Sequence, residues 1–268
     1  MNRPIAKGWC PSALRPMQSG DGLLVRVKPK YGMLNSKQLL VLADCSDKFG
    51  NGLLDITSRT NVQIRGINEK NYSNLILKLQ TEELVSDSDK LDRLNIIVPP
   101  FIQKNSLLWR CASQIYSSVE MLPFLPDKFG FCIDHHDSRY LSDELGDLFI
   151  EVVSGSKLML RCAGMKEAFY TNENNLMNDI KKIIEWYLEI QNVQENERAM
   201  RMRDVVEQNN FPWETIKKIK EPFSQKITVG RYQSKFILAA PFGQLKSEHL
   251  RKLAAANKKV QFTINKML

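Results

Sequence analysis

The sequence contains no run of 18 consecutive apolar residues. Residues 1–16 carry charges and prolines where a signal peptide needs an apolar segment, so the sequence argues against both a membrane span and secretion. It also has no P-loop, no G-x-G-x-x-G fingerprint and no G-x-S-x-G elbow. These absences argue against the common nucleotide-binding and serine-hydrolase classes.

Cysteine is scarce and widely spaced, and no two cysteines form a C-x-x-C pair. The five are Cys10, Cys45, Cys111, Cys132 and Cys162. An odd number without regular spacing argues against a disulfide framework and against a local zinc or iron–sulfur motif, and it fits a reducing cytoplasm. His135-His136-Asp137 could offer metal ligands, but no third ligand is identifiable, so we predict no metal site.

Positive charge exceeds negative charge, with 38 Lys and Arg against 30 Asp and Glu, for a net charge of +8. This balance suits an anionic partner, and from charge alone nucleic acids, phosphates and polycarboxylates all remain open. Lys217, Lys218 and Lys220 could contact phosphates, although a short charged patch is usually the solvated face of a helix.

The same strand–turn–helix skeleton occurs twice, at a constant offset of 211 residues. Six identities carry it: Gly32, Leu34, Ser36, Leu39, Leu42 and Ala43 correspond to Gly243, Leu245, Ser247, Leu250, Leu253 and Ala254. Identities in register favour duplication over chance. In the first copy the sequence predicts a strand over residues 22–27, a helix capped by Ser36, and a second strand that begins at Leu53 and continues through Ile64.

That second strand contains the densest polar cluster of the chain. On an extended strand Thr57, Arg59, Asn61, Gln63 and Arg65 would all project from one face. Such a row could bind a large polyanion at several points, and it fits the solvated face of an antiparallel strand equally well.

Between the two copies, an acidic, serine-rich stretch at residues 82–92 predicts a linker. Beyond it we expect strands at residues 95–98, 129–133, 149–153 and 157–161, with a turn at residues 154–156 between the last two. Residues 175–206 have a helical pattern. The sequence thus predicts three parts: residues 1–81, a mixed α/β middle over residues 82–221, and an incomplete second copy at residues 222–268.

The segments C-P-S-A-L-R-P-M-Q-S-G-D-G-L-L-V-R-V at residues 10–27 and G-N-G-L-L-D-I-T-S-R-T-N-V-Q-I-R-G at residues 50–66 closely resemble the N-terminal part of the precorrin-3B synthases. These enzymes of aerobic cobalamin biosynthesis belong to the nitrite and sulfite reductase superfamily. The resemblance continues through L-P-D-K-F-G-F at residues 125–131, R-M-R-D at residues 201–204 and P-F-G-Q-L at residues 241–245.

The resemblance implies an α+β fold in which two ferredoxin-like half-domains flank the middle domain. It implies a site for a carboxylate-rich, precorrin-like tetrapyrrole, and it gives no reason to expect a nucleic acid or a membrane as partner. Its residues would be Arg59, Asn61, Gln63, Arg65, Lys128 and Arg93, although Arg93-Leu94-Asn95 departs from the superfamily's Arg-Asn and turns the arginine toward the other face of the strand.

The superfamily's four iron–sulfur cysteines lie beyond the second half-domain, and none of the five cysteines here matches them. We therefore expect no cofactor in this chain, whereas the full-length family carries a 4Fe–4S cluster and some relatives carry siroheme. The sequence interpretation is a C-terminally truncated precorrin-3B synthase-like protein, with a separate chain as a possible source of the missing portion. A nitrite or sulfite reductase fragment, a non-catalytic tetrapyrrole-binding protein and a decayed gene product remain as alternatives.

Overall fold

A computed structural model describes residues 11–142, 145–153, 157–191, 199–214, 223–256, 259–264 and 266–268. The chain divides into two compact units: unit 1 comprises Met1–Asp92 with Ile227–Leu268, and unit 2 comprises Arg93–Lys226. Both copies of the repeated segment therefore belong to unit 1. The three-part division expected from the sequence stays a prediction.

Unit 1 combines short strands with four helices in its described residues. Its elements are β1 (Met17–Ser19), β2 (Gly22–Val27), β3 (Met33–Asn35), α1 (Ser36–Phe49), β4 (Leu53–Ile56), β5 (Val62–Ile67), α2 (Tyr72–Thr81), α3 (Asp89–Arg93, which reaches the boundary of unit 2), β13 (Gly230–Tyr232), β14 (Lys235–Ile237), β15 (Gln244–Lys246), α7 (Ser247–Ala256) and β16 (Lys259–Gln261).

The main sheet of unit 1 has the strand order β1-β2-β5-β4-β15. Side chains alternate between its faces, so Leu54, Ile56 and Ile64 are buried with apolar residues of α1 and α2. Asp55 and Gln63 lie opposite each other on the other face. The sheet thus has one apolar face under the helices and one polar face.

The two copies exchange strands. β15 of the second copy pairs with β4 of the first, and β3 of the first pairs with β16 of the second. Gly32 and Gly243 both have a positive φ, and a Cβ on either would press on a backbone oxygen of the other copy, that of Phe262 or Ile56 respectively. Both glycines are thus required by the same close approach, which confirms the predicted repeat.

The start of α1 differs from the prediction. Asn35, not Ser36, is the N-cap: its side chain accepts from the Gln38 N–H at 2.9 Å, and the Gln38 side chain accepts from the Asn35 N–H at 3.1 Å. This reciprocal pair satisfies two backbone donors, which a cap at Ser36 would not do.

The predicted continuous strand from Leu53 to Ile64 is also wrong. The chain reverses after β4, and β5 returns antiparallel to it, with Leu54 opposite Ile64. Thr57, Arg59 and Asn61 therefore lie in or beside a turn rather than on one strand face with Gln63 and Arg65. The alternation of polar residues continued across a reversal of the chain, which periodicity alone does not detect.

The elements of unit 2 are β6 (Ile96–Ile97), α4 (Leu107–Ser117), β7 (Phe131–His135), β8 (Ser138–Arg139), β9 (Leu148–Val152), β10 (Leu158–Cys162), β11 (Phe169–Thr171), α5 (Leu176–Gln191), α6 (Met202–Gln208) and β12 (Phe223–Ser224). Five of these strands form a mixed sheet of order β11-β10-β9-β7-β6.

The predicted pairing of β9 with β10 is confirmed, with Ile150 opposite Leu160. The turn expected at residues 154–156 lies outside the described residues. β6, β7 and β9 run parallel. Both units combine helices with strands, which confirms the expected α+β class. Among the described residues, no helix is both long enough and apolar enough to cross a membrane.

Candidate functional site

The turn between β4 and β5, which we call the Thr57–Asn61 turn, is fixed by its own threonine. The Thr57 hydroxyl accepts from the backbone N–H groups of Arg59, at 3.3 Å, and Asn61, at 3.1 Å. The Thr57 N–H donates to the Asn61 carbonyl at 2.9 Å. Thr60 occupies the left-handed region at φ 59° and is buried. These bonds hold the turn in one conformation before any ligand binds.

Asn61 is 6% exposed, and its side-chain Nδ2 has no hydrogen-bond partner among the described residues. Burying an amide donor without an acceptor costs about 1–3 kcal/mol. Arg59, two residues earlier in the same turn, is half-buried. The turn thus contains a half-buried arginine and a buried amide donor that has no acceptor among the described residues, a combination of groups that suits an oxygen-rich anion.

Gln63 lies on the polar face of the sheet, directly opposite Arg26 of β2. In the amide orientation that satisfies both side chains, its oxygen accepts from Arg26 Nη2 at 2.7 Å and from Nε at 3.1 Å. Gln63 therefore orients Arg26, which was not among the residues predicted from the sequence.

Arg65 is held by carboxylates. Its Nε and Nη2 donate to the two oxygens of Asp21 at 3.0 and 3.1 Å, and its Nη1 donates to Asp55 at 2.7 Å. The bonds to Asp21 and Asp55 raise the pKa of Arg65. Two carboxylates therefore balance the charge of Arg65 within the sheet, and its predicted contact with a ligand stays a prediction.

In unit 2, Lys128 sits half-buried in a turn that precedes β7. Asn95 holds this turn: its Nδ2 lies 3.1 Å from the Asp127 carbonyl and 3.0 Å from the Phe129 carbonyl. Arg93 donates to Asp127 at 3.0 Å, and its guanidinium lies 5.8 Å from the centre of the Phe124 ring. Arg93 and Asn95 thus both support the segment that carries Lys128.

The predicted residues are divided between the two units. Arg59, Asn61, Gln63 and Arg65 belong to unit 1, whereas Arg93 and Lys128 belong to unit 2. A pocket shared by Arg59 and Lys128 stays a prediction. Lys217, Lys218 and Lys220 lie outside the described residues.

One residue of the predicted histidine pair, His136, forms a buried contact within the fold. His136 Nδ1 lies 2.8 Å from Glu151 Oε2, and Arg161 donates to the other oxygen at 3.2 Å. Burial by itself raises the pKa of Glu151, but the hydrogen bond from His136 and the charge of Arg161 outweigh it and lower that pKa overall. His136 thus belongs to a buried ion-pair network.

Four cysteines fall within the described residues, and all four are buried. Burial raises the pKa of Cys45 to about 11 and that of Cys111 to about 12. An iron–sulfur cluster needs several thiolates that converge on one site, but Cys45 lies in unit 1 and the other three lie in unit 2. Within the described part of the chain, no three His, Cys, Asp or Glu residues are grouped to hold a metal. The four described cysteines therefore do not fit a 4Fe–4S cluster.

A second turn, which was not predicted from the sequence, matches the Thr57–Asn61 turn. Thr263 and Met267 close it through a 2.8 Å hydrogen bond from the Thr263 N–H to the Met267 carbonyl, and Lys266 has φ 57°, as Thr60 has 59°. The offset here is 206 residues instead of 211, because α7 has 10 residues where α1 has 14, and two residues instead of three lie between the helix and the next strand. At the constant offset of 211 residues that defines the repeat, the two turns do not align, so the sequence did not predict their correspondence.

This chain is similar in sequence and in fold to several known proteins. Residues 15–81 match the family model of the nitrite/sulfite reductase ferredoxin-like half domain. A precorrin-3B synthase from Sinorhizobium sp is 39% identical over 96 residues, which is 36% of this chain and 20% of that protein. A ferredoxin–nitrite reductase from Leptolyngbya laminosa is 27% identical over 164 residues, which is 56% of this chain and 32% of that protein.

The structure of the NirA protein from Mycobacterium tuberculosis has a similar fold, with a TM-score of 0.63 at 15% identity. The similarity covers 98% of this chain and 57% of the NirA chain. Residues 15–81 are thus similar to a half-domain of the nitrite/sulfite reductase type. The chain spans a third or less of the length of the curated relatives it matches.

Proposed function

We propose that this protein is a precorrin-3B synthase-like oxidoreductase of aerobic cobalamin biosynthesis, and that its Thr57–Asn61 turn binds a carboxylate-rich tetrapyrrole. The half-domain at residues 15–81 and the 39% identity to a precorrin-3B synthase over 96 residues support this function. A cytoplasmic location is part of the proposal, because such a pathway uses soluble intermediates and the cysteine pattern fits a reducing compartment.

The buried Asn61 amide is the observation that carries the proposal. Its Nδ2 is a donor without an acceptor among the described residues, inside a turn whose backbone N–H groups at Arg59 and Asn61 donate to the Thr57 hydroxyl. A carboxylate that reaches this donor would remove the cost of burying it. Buried polar groups without partners are rare in folded proteins and point to a missing ligand or water.

Arg59 would supply the charge at this site. A guanidinium can bind a carboxylate through two parallel hydrogen bonds, which a lysine cannot do. Lys128 of unit 2 stays a proposed tetrapyrrole contact in its own right, on a turn whose Asp127 and Phe129 carbonyls accept from the Asn95 side chain. Arg65 and Arg93 are assigned to support, because Asp21, Asp55 and Asp127 bind them.

The redox chemistry of the proposed reaction needs groups that the described residues do not supply. Their cysteines are dispersed and buried, so a 4Fe–4S cluster would have to be held by another portion of the protein or by a separate chain. We therefore assign to this chain only the binding and orientation of the tetrapyrrole.

Titration of the full chain with uroporphyrin, a carboxylate-rich porphyrin, tests the proposal. Arg59→Ala should weaken binding about ten- to a hundredfold, since a charge-assisted hydrogen bond contributes about 1.5–3 kcal/mol. Arg110→Ala is the matched control, because it removes the same charge from an exposed residue that pairs with Glu173. Exposed ion pairs contribute little, so this variant should bind like the wild type.

Equal weakening by both variants would show that porphyrin binds through general attraction to the +8 chain, and would overturn the proposed site. Absence of binding by the wild type at physiological salt would favour a decayed gene product instead. Binding without any turnover when the redox portion is supplied would favour a non-catalytic tetrapyrrole-binding protein.

A nitrite or sulfite reductase is the second candidate. The observation that favours it is the longer match, 164 residues, to a ferredoxin–nitrite reductase, at the lower identity of 27%. Siroheme and uroporphyrin distinguish the two candidates: a reductase portion should bind the iron-containing siroheme at least tenfold more tightly, whereas a precorrin enzyme should show no preference for iron.

A further inference from the structure

A cleft of about 440 Å³ lies in unit 2, at the carboxyl ends of its parallel strands β6, β7 and β9. Its lining includes Pro99, two residues after β6, His135, the last residue of β7, and Val152, the last residue of β9. Sheets of parallel strands commonly bind ligands outside this edge. The volume lies within the range of roughly 300–1,000 Å³ that small-molecule sites occupy. Position and size therefore both fit a ligand site.

Hydrogen bonds within unit 2 hold the segments that line this cleft. In the loop between β6 and α4, the Ser106 hydroxyl donates to the Gln103 carbonyl at 2.7 Å. Near β8, the Gln225 N–H donates to the Arg139 carbonyl at 2.7 Å, and β8 pairs in parallel with β12. A ligand would therefore enter a cleft whose walls are already ordered, which lowers the entropic cost of binding.

Four polar side chains at the cleft make no hydrogen bond with any residue in the described part of the chain. They are Gln103, His135, Ser138 and Gln225. Ser138 and Gln225 are half-buried. The four residues come from the loop before α4, the end of β7, the start of β8 and the segment after β12. Donors and acceptors from four separate segments are thus available to one ligand.

The chemistry of the lining favours an uncharged ligand. No lysine, arginine, aspartate or glutamate is among the described residues that line the cleft, so a charged group would lie there without a counter-ion, at a cost in desolvation. Phe101, Ile102 and Leu107 contribute apolar surface for a ring. A glutamine amide places a donor beside an acceptor, a pattern that matches the edge of a purine base. Serine hydroxyls match the hydroxyl groups of a sugar.

We propose that this cleft binds an uncharged nucleoside, whose base packs on the apolar side chains and forms hydrogen bonds with Gln103 and Gln225. The proposal does not depend on tetrapyrrole binding. Lys128 precedes Phe131, the first residue of β7, whereas the cleft lies at His135, the last. At about 3.3 Å per residue, the two ends of β7 are about 13 Å apart.

Calorimetric titration of the full chain with adenosine tests the proposal. We expect one site per chain, with a dissociation constant below about 1 mM. Saturation with uroporphyrin should leave this constant unchanged within about twofold, because independent sites have no coupling free energy. AMP should bind no more tightly than adenosine, because the lining offers no cation to its phosphate.

Gln103→Ala should weaken adenosine binding about five- to tenfold, through the loss of hydrogen bonds to the base. Gln208→Ala is the matched control, since Gln208 is also exposed, ends α6 in the same unit and lies outside the cleft. Ser138→Phe should fill the cleft and abolish binding, and circular dichroism shows whether it folds. Gln103→Ala decides the matter if Ser138→Phe does not fold, because the Gln103 side chain is exposed and makes no hydrogen bond with the described residues.

Absence of saturable adenosine binding by the wild type would overturn the proposal, and so would equal weakening by Gln103→Ala and Gln208→Ala. Displacement of adenosine by uroporphyrin would show that the cleft is not a separate site. AMP binding at least tenfold more tightly than adenosine would show that the cleft holds an anion, and the uncharged class of ligand would then be wrong.

Discussion

One oxygen of Asp55 accepts a hydrogen bond of 2.7 Å from Arg65, across the antiparallel pair of β4 and β5. The other oxygen accepts from Gln244 at 3.1 Å. Gln244 belongs to β15, so Asp55 connects the polar face of the first copy to the strand that the second copy contributes. Arg65 is therefore part of the contact between the copies.

We expect Arg65→Ala to lower stability and to leave porphyrin affinity within about twofold of the wild type. Its ion pairs are partly exposed, so the loss should be about 1 kcal/mol. Urea unfolding and uroporphyrin titration of the same variant measure the two effects, with Arg59→Ala as the opposite case. A tenfold loss of affinity in Arg65→Ala would show that Arg65 contacts the ligand.

The sequence predicted the duplicated skeleton because the residues that define it meet the same physical requirements in both copies. Gly32 and Gly243 must accept a positive φ, and Leu39 and Leu250 must be buried on one helix face. The Thr57–Asn61 turn was missed because alternating polar residues fit a strand and a hairpin equally well. Its signal was the composition Thr-Ser-Arg-Thr-Asn, which is typical of a turn.

The contacts of the individual arginines could not be predicted from the sequence. Arg59 and Arg65 are six residues apart, and the reversal of the chain places one in the turn and the other beside Asp21 and Asp55. Asp21 is 44 residues from Arg65 in the sequence. Such pairs follow from the register of the sheet, which becomes known only with the structure.

Asp134 should make stability depend on pH. Its carboxylate accepts backbone hydrogen bonds from His135, Tyr140 and Leu141, but burial outweighs them and raises its pKa from 3.8 to about 6. Between these two values the folded state holds a proton that the unfolded state has lost. The contribution of Asp134 to stability is therefore largest below about pH 4 and is lost as the pH rises through about 6.

The contribution amounts to roughly 3 kcal/mol at most, for about two pK units. Urea unfolding at several values between pH 4 and 7 measures it, and Asp134→Asn should remove the slope even though the variant is less stable overall. Glu151 serves as the internal comparison, since its lowered pKa places its effect below pH 4.5. The same slope in Asp134→Asn as in the wild type would contradict the prediction.

The cysteines should be unreactive in the folded protein. Cys45, Cys111, Cys132 and Cys162 are buried, and burial raises the pKa of Cys45 to about 11, so its thiolate is scarce at pH 8. In a Cys10→Ser variant we expect no thiol to react with a disulfide reagent until the protein is denatured, and then four to react. Reaction of even one thiol in the folded variant would show that a buried site opens.

The same four thiols should not assemble a cluster. Anaerobic reconstitution with iron and sulfide, followed by analysis of both elements, should leave the chain without a stoichiometric cluster. Four iron atoms per chain would show that the cysteines converge in a structure other than the one described here.

Substitution of Asn61 tests whether its side chain contributes to ligand binding or to stability. Its Nδ2 is buried without an acceptor among the described residues, so Asn61→Ala removes a group that costs about 1–3 kcal/mol to bury. The small cavity left by the alanine costs a similar amount, and the two effects oppose each other. The urea midpoint should therefore remain close to that of the wild type.

Porphyrin binding should respond differently, because a ligand carboxylate that accepts from Nδ2 has no donor in the variant. We expect Asn61→Ala to weaken uroporphyrin binding about tenfold, with most of the change in the dissociation rate. Asn51→Ala is the matched control: Asn51 is exposed and bonds to Asp21, so its loss should affect stability slightly and affinity not at all. A large loss of stability in Asn61→Ala with unchanged affinity would mean that its amide is satisfied within the fold, and the turn would then lose its role as a ligand site.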